Sequence, residues 1–203
     1  NASVDGARLN GANLRGAMLS NVTSSADVAG ATVSFGVAKL ALEIQVAIRE
    51  HALWADSFGL EGRRAVWAGV AMTGADLTNV YLSGAELRDC DLSGATLRNA
   101  EFMLADLGGA NLRDADVWEA DFSGATLANA DLRGVHLASA ILAAVGSSDE
   151  GQETGHSRAV SLSGANLSGI DLRRVELRGV DLSAANLSGC NFAGKRLSRV
   201  RFV

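Results

Sequence analysis

Between residues 65 and 142 the chain repeats itself every five residues without a slip, and this period restricts the folds open to it. Units read Ala75-Asp76-Leu77, Ala85-Glu86-Leu87, Cys90-Asp91-Leu92, Ala95-Thr96-Leu97, Ala105-Asp106-Leu107 and Ala110-Asn111-Leu112. A small residue comes first, a polar one second and a large apolar one third. The last two places hold Ser, Arg, Asn, Asp or Gly. Sixteen units are centred from Trp67 to Leu142, and nine more from Leu162 to Phe202 within residues 160–203. An earlier run over residues 2–34 is centred on Val4, Leu9, Leu14, Leu19, Val28 and Val33, and loses one residue near positions 22–25. A helix needs a period of 3.6 and a strand a period of 2, and a heptad coiled coil needs 3.5. Five fits none of them.

Within each unit, however, the period is 2. The small and the large apolar residues lie two apart, so a short extended stretch points both inward and its polar residue outward. The two closing residues must turn the chain, and Gly at 74, 84, 94, 109, 124 and 134 supplies cheap positive φ there. A chain that turns every five residues and repeats itself becomes a solenoid. Its backbone bonds run from coil to coil, and proline would remove a donor from that ladder. The composition agrees: there are 23 Gly and no Pro, where about ten Pro are usual at this length. If four units close a coil, residues twenty apart stack, and Leu82, Phe102, Phe122 and Leu142 form one inward column. Facing walls then stand about 10 Å apart, and about eight coils at ~4.8 Å spacing make a rod roughly 38 Å long.

These A-(D/N)-L-x-x units resemble the pentapeptide repeat family, over about three-quarters of the chain. The resemblance implies an all-β solenoid, a right-handed quadrilateral β-helix with four units per coil, with 1–203 as a single domain. Handedness and coil size come from the resemblance. It implies little about function, because fold alone does not fix function.

Two segments interrupt the period. Residues 35–64 read as a helical insertion, with a helix over 37–54 and then a loop with Gly59 and Gly62. Val37, Leu40, Ala41, Ile44, Ile48 and Ala52 share one face, and Lys39, Glu43 and Glu50 fall largely on the other. The stretch His51-Ala-Leu-Trp54, followed by Gly59-Leu-Glu-Gly62-Arg-Arg64-Ala65, looks like leaders that precede the coils in some bacterial members of the family. Two readings stay open: a helix that caps or flanks the rod, covering an exposed coil edge, or one that binds a partner or a second copy. Residues 143–159 form a polar loop bearing Asp149 and Glu150. Leu142 and Leu162 are twenty apart, which predicts an excursion that leaves one corner and returns to the same column. The loop is either a solvated excursion or a recognition loop on a rigid scaffold.

No constellation for catalysis stands out, so the chain is read as a non-enzyme without cofactor or metal. His51 is placed at the helix end, His136 at an outward repeat position and His156 in the loop, with no converging zinc set. Cys90 and Cys190 take small inward places some four coils apart, too far for a disulfide. Gly155-His-Ser157-Arg-Ala159 lacks the strand and helix of a nucleophile elbow. No phosphate-binding loop or dinucleotide fingerprint occurs. Stacking puts Glu86 beside Asp106 and Glu101 beside Asp121, pairs that repel unless bridged; Arg88, Arg98 and Arg113 are near neighbours.

The net charge of −5 disfavours a general phosphate-binding surface. The distribution of charge says more: residues 65–142 hold eleven acidic and four basic residues, and residues 160–203 hold three acidic and seven basic. The basic end carries Arg173, Arg174, Arg178, Lys195, Arg196, Arg199 and Arg201. No apolar run approaches the ~18 residues of a membrane span, and no secretory leader is visible at Asn1; a trimmed or processed cytoplasmic protein is expected. The first reading of function is a non-catalytic scaffold that recognises another protein. Its candidate surface comprises Lys39, Glu43, Glu50, Asp149, Glu150, Arg173, Arg174, Arg178, Arg196 and Arg199. The alternative, taken from the resemblance, is a mimic of duplex DNA that binds a type II topoisomerase (gyrase) and protects it from inhibitors. Against it, such relatives typically dimerise through a C-terminal helix, whereas residues 199–203 continue the repeat and the last coils are basic.

Overall fold

A computed structural model describes residues 40–146 and 158–203. The repeat run 2–34, Lys39, Asp149 and Glu150 lie outside the described residues.

Each unit is built around a tight turn. In the unit of Leu77, the Val80 N–H donates to the Leu77 carbonyl at 3.1 Å, with Asn79 at φ 58° between them. That positive φ in the third place of a four-residue turn favours Gly, Asn or Asp, which is why those residues fill most fifth positions; Leu104, Glu119, Ala184 and Arg199 adopt it too. The second residue has a task that its polarity alone does not reveal. Its side-chain oxygen accepts the N–H two residues on: Thr78 N–H to Asp76 at 3.1 Å, Ser93 to Asp91 at 3.0 Å, Ser123 to Asp121 at 2.8 Å and Ser183 to Asp181 at 2.9 Å. This Asx geometry pre-forms the turn and satisfies a donor that the ladder leaves over.

Coil stacks on coil at a step of twenty residues. Val66 pairs in parallel with Glu86, Ala71 with Asp91, Asp76 with Thr96 and Tyr81 with Glu101, and the series continues upward. Four units therefore close one coil, and the four walls can be named after Val66, Ala71, Asp76 and Tyr81. Among the described residues the walls hold isolated parallel pairings and no extended strands. The expectation of an all-β solenoid is refined accordingly: each wall offers two or three extended residues before the next turn, too few for a strand of ordinary length.

Inside, first and third residues form a continuous core. Leu77, Leu82, Leu92, Leu97, Leu107 and Leu112 are fully buried. The predicted column exists, with the rings of Phe102 and Phe122 stacked at 5.3 Å and 7° between planes. Cys90 and Cys190 are free thiols in small inward places, and each donates to a carbonyl one coil below, Trp67 at 2.6 Å and Leu167 at 3.0 Å.

Helix α1 (Leu42–Asp56) begins later and ends later than the predicted 37–54. Ala41 adopts φ −55° and ψ 144°, which breaks the helical path, and Gln45 Nε2 donates to the displaced Leu40 carbonyl at 2.7 Å. Beyond Asp56, Phe58 (φ 55°) and Gly59 (φ 88°) turn left-handed, and the Gly59 N–H closes on the Trp54 carbonyl at 2.7 Å. Ile48 is buried in the rod's core cluster, with Leu40, Ile44 and Ala47 packed against it, and Ala52 is buried as well.

The second interruption is corrected. Val145 and Arg158 pair antiparallel, each N–H bonded to the other's carbonyl at 2.9 Å. Ser161 then pairs with Thr126 and Asn166 with Asp131, steps of thirty-five. Fifteen extra residues thus leave and rejoin one corner, and the inward place that Val145 would fill is taken by Val160. Leu162 therefore stacks over Leu127 and not, as expected, over Leu142. Twenty and thirty-five are both multiples of five, so the repeat alone cannot choose between neighbouring columns. Above this corner the ladder thins. Among the described residues no backbone pairing joins His136 to Asp171 or Ile141 to Glu176, and a 3₁₀ turn (Leu137–Ser139) replaces the regular turn.

Candidate interaction surfaces

His51 is not the helix terminus that its place in the sequence indicated; it is fully buried and joins α1 to the first coil. Its Nδ1 accepts the Ala65 N–H at 3.1 Å, so Nε2 carries the proton and donates to the Ser83 carbonyl at 3.1 Å. The ring lies between Trp54 (5.3 Å) and Tyr81 (6.0 Å). Burial, with a smaller contribution from the nearby Arg64 charge, pushes its pKa down to about 4, against the hydrogen bond to Ser83 that favours the proton. Arg64 Nε adds a bond to the Gly84 carbonyl at 2.5 Å and pairs with Glu86. The His51 ring thus satisfies the Ser83 carbonyl, which at this coil edge would otherwise meet an N–H of a preceding coil.

Glu43 is exposed and Glu50 half-buried, and both line one shallow groove of about 270 Å³ with Val46, Ala47, Arg63, Arg64, Ala65, Val66 and Trp67. Gly62 packs against the helix where no side chain fits: a Cβ there would stand 2.1 Å from the Glu50 carbonyl oxygen.

On the rod's flanks, arginines engage part of the acidic columns. Arg88 pairs with Asp106 at 2.9 Å and Arg98 with Asp116 at 2.6 Å, each arginine reaching one coil up, while Arg133 pairs with Asp131 at 2.5 Å. Asp91 is held below the usual carboxylate range chiefly by the hydroxyl and N–H of Ser93, with help from Thr73 and Asn111. Large apolar side chains also face outward: Trp118 is 52% exposed and Ile141 47%.

At the basic end, Arg173 is engaged by Asp171 at 2.6 Å, and this bond takes the Asp171 pKa down to about 2. Arg174, Arg178, Arg196 and Arg199 are exposed on the Tyr81 wall and its corners and make no ion pair among the described residues. The structure thus groups four of the five predicted arginines as open charge and Glu43 with Glu50 as a groove wall. The two sets lie at opposite ends of the rod. Among the described residues no cluster of three or more His, Cys, Asp or Glu could hold a metal ion, and no helix is long and apolar enough to cross a membrane.

Comparison with known proteins agrees with this architecture. The model for pentapeptide repeats matches in 8 copies over residues 1–23, 72–109, 105–142 and 158–202. The chain belongs to the pentapeptide repeat family, whose members fold as right-handed quadrilateral β-helices. Among solved structures, two trypsin-treated forms of QnrB1, a plasmid-mediated fluoroquinolone resistance protein, share the fold. One is 22% identical over 68% of this chain and 72% of that one, with a TM-score of 0.54. The other is 25% identical over 68% and 67%, with a TM-score of 0.53. Rfr23, a pentapeptide repeat protein from the cyanobacterium Cyanothece 51142, is 27% identical over 64% and 65%, with a TM-score of 0.31. A comparison with curated proteins finds no match.

Proposed function

We propose that the chain is a non-catalytic scaffold that acts by protein–protein recognition, presenting charged and apolar side chains at fixed spacing on a laddered rod. One observation carries the choice over DNA mimicry: five of the eleven carboxylates of residues 65–142 already hold an arginine, while the last coils carry basic charge that is open. Glu86, Asp106, Asp116 and Asp131 hold arginines, and Asp91 accepts four hydrogen bonds from Thr73, Ser93 and Asn111. A mimic of phosphate rows needs open negative charge along its length. Open positive charge is gathered at the basic end, on Arg174, Arg178, Arg196 and Arg199, which suits an acidic protein surface.

A second reading has its own support in the fold shared with QnrB1 and in the acidic excess of residues 65–142. There the chain binds a type II topoisomerase and relieves a fluoroquinolone. A supercoiling assay with purified gyrase and drug separates the two. The scaffold reading expects no rescue at any ratio of this protein to enzyme, and rescue would replace it with the second reading. In parallel, Arg174→Glu with Arg178→Glu and Arg196→Glu should abolish capture of a partner that the unaltered chain retains from lysate. Unchanged capture would refute the role given to the basic end.

A further inference from the structure

The segment that follows α1 holds two large apolar side chains almost wholly in water. Phe58 is 96% exposed and Leu60 89%. The backbone around them is fixed by many bonds. Ser57 Oγ accepts the Glu61 N–H at 2.8 Å, Gly59 N–H closes on Trp54, Leu60 N–H on Ser57 at 3.3 Å, and Arg63 N–H on Glu50 at 3.0 Å. Phe58 also sits at φ 55°, a conformation that a bulky residue adopts at a cost. A strained, well-bonded loop that displays Phe and Leu is pre-organised to bind, because little freedom remains to be lost on contact.

Beside this finger lies the groove of Val46, Ala47, Val66 and Trp67. The two are joined by the three residues between Leu60 and Arg64, so finger and groove are neighbours on one surface. The outer face of α1 extends the patch: Leu42 is 64% exposed and Leu53 42%, and Val66 on the first coil is 58% exposed. Leu42, Val46 and Leu53 share one side of the helix at spacings of four and seven. With Phe58 and Leu60 these residues expose roughly 600 Å² of mostly apolar surface, at the top of the ~300–600 Å² typical of a monomer's largest patch and approaching the ~800 Å² per partner of a standard interface. The finger is flanked by Asp56 and Glu61. The groove carries both signs: Glu43 and Glu50 on the helix side, and Arg63 and Arg64 on the other, where Arg64 is paired with Glu86 and Arg63 makes no ion pair among the described residues.

We propose that two copies of this chain associate about a two-fold axis through this surface, Phe58 and Leu60 of each entering the Val46–Val66 groove of the other, with Asp56 and Glu61 facing Arg63. Adjacent knob and hole on one face are what a reciprocal, closed dimer requires. The inference is independent of the scaffold reading, which concerns the flanks and the basic end.

The test is light scattering and sedimentation equilibrium on the full chain over about a 100-fold range of concentration. A dimer of twice the 20.9 kDa chain mass is expected. Phe58→Ser with Leu60→Ser should weaken association at least ~30-fold with unchanged circular dichroism, since neither side chain packs on the core. Val66→Lys should block the groove and weaken association likewise. Mixing the two variants leaves one intact finger and one intact groove, so a weak heterodimer should reappear. A chain that stays monomeric throughout, or a dimer indifferent to the finger variants, overturns the proposal. Failure of the mixed pair to associate, with each variant folded, overturns the reciprocal geometry.

Discussion

Acid should loosen α1 from the rod through His51. The neutral ring accepts from Ala65 and donates to Ser83 at 3.1 Å each, and a proton on Nδ1 would set that nitrogen against the Ala65 N–H. The folded pKa is about 4 and the ordinary value 6.5. The unfolded chain therefore binds the proton first, and stability falls with falling pH. The contribution of neutral His51 is complete above about pH 6.5, shrinks between there and pH 4, and is gone below. A shift of this size corresponds to about 3 kcal/mol at full extent, of which about 2 kcal/mol is lost by pH 5. The assay is urea unfolding followed by circular dichroism at several pH values between 7.5 and 5, run beside His51→Leu. The leucine variant strands the buried Ala65 N–H and should be less stable at pH 7.5 by ~1–3 kcal/mol, with a much flatter pH profile. Parallel pH profiles for the two proteins would refute the assignment of the loss to His51.

Other outcomes follow from the coils. Leu112→Asp, at a fully buried third position, should lose ~1.5–3 kcal/mol of burial and add the cost of an unpaired carboxylate, whereas Arg113→Asp, exposed and touching only Asp114, should change stability by under about 1 kcal/mol; thermal melts compare them. Ala184→Gly should raise stability by up to about 1 kcal/mol, because Ala184 holds φ 55° at a cost that glycine avoids; a lower melting temperature would argue against that strain. Trypsin should cut slowly at Arg158, because both its backbone groups pair with Val145, and Gly124→Ala should speed that cut, since a Cβ there would stand 2.9 Å from Val145 and 3.3 Å from the Arg158 carbonyl; digestion followed by mass spectrometry reads both.

The coils were legible because one physical demand recurs in every unit. Small and large apolar residues two apart, closed by Gly, Asn or Asp, state the buried pair and the turn together, and twenty-residue stacking places Phe102 on Phe122 from the sequence alone. What stayed hidden depends on distance in space. The second residue's polarity says that it faces water, not that Asp76 or Asp121 bonds the next turn. Arg88 and Arg98 were seen as neighbours of the acidic columns, but their reach to Asp106 and Asp116 needs the geometry of adjacent coils. His51 looked like a helix end, since nothing in a single histidine records that Ser83 and Ala65 will meet both its nitrogens. Of the candidate surface, composition located the basic end but could not show that Asp171 neutralises Arg173. Phe58 and Leu60 were passed over because a loop with two glycines does not advertise a fixed backbone.

The corner hairpin has a consequence for how such a rod can change. Because fifteen residues enter and leave between Val145 and Val160 without disturbing the stacking of Ser161 on Thr126, length added at a corner leaves every later side chain on its own wall. Length added within the repeat behaves otherwise. One unit inserted before Leu162 would carry everything beyond it on to the next wall, like a dial advanced a quarter-turn, and Arg174, Arg178, Arg196 and Arg199 would then look out at a right angle to their present direction. The core would hardly register the difference, since each wall accepts the same small and large residues. The bearing of the basic end relative to the acidic coils is therefore adjustable in four settings, by indels of five residues that need no compensating change inside.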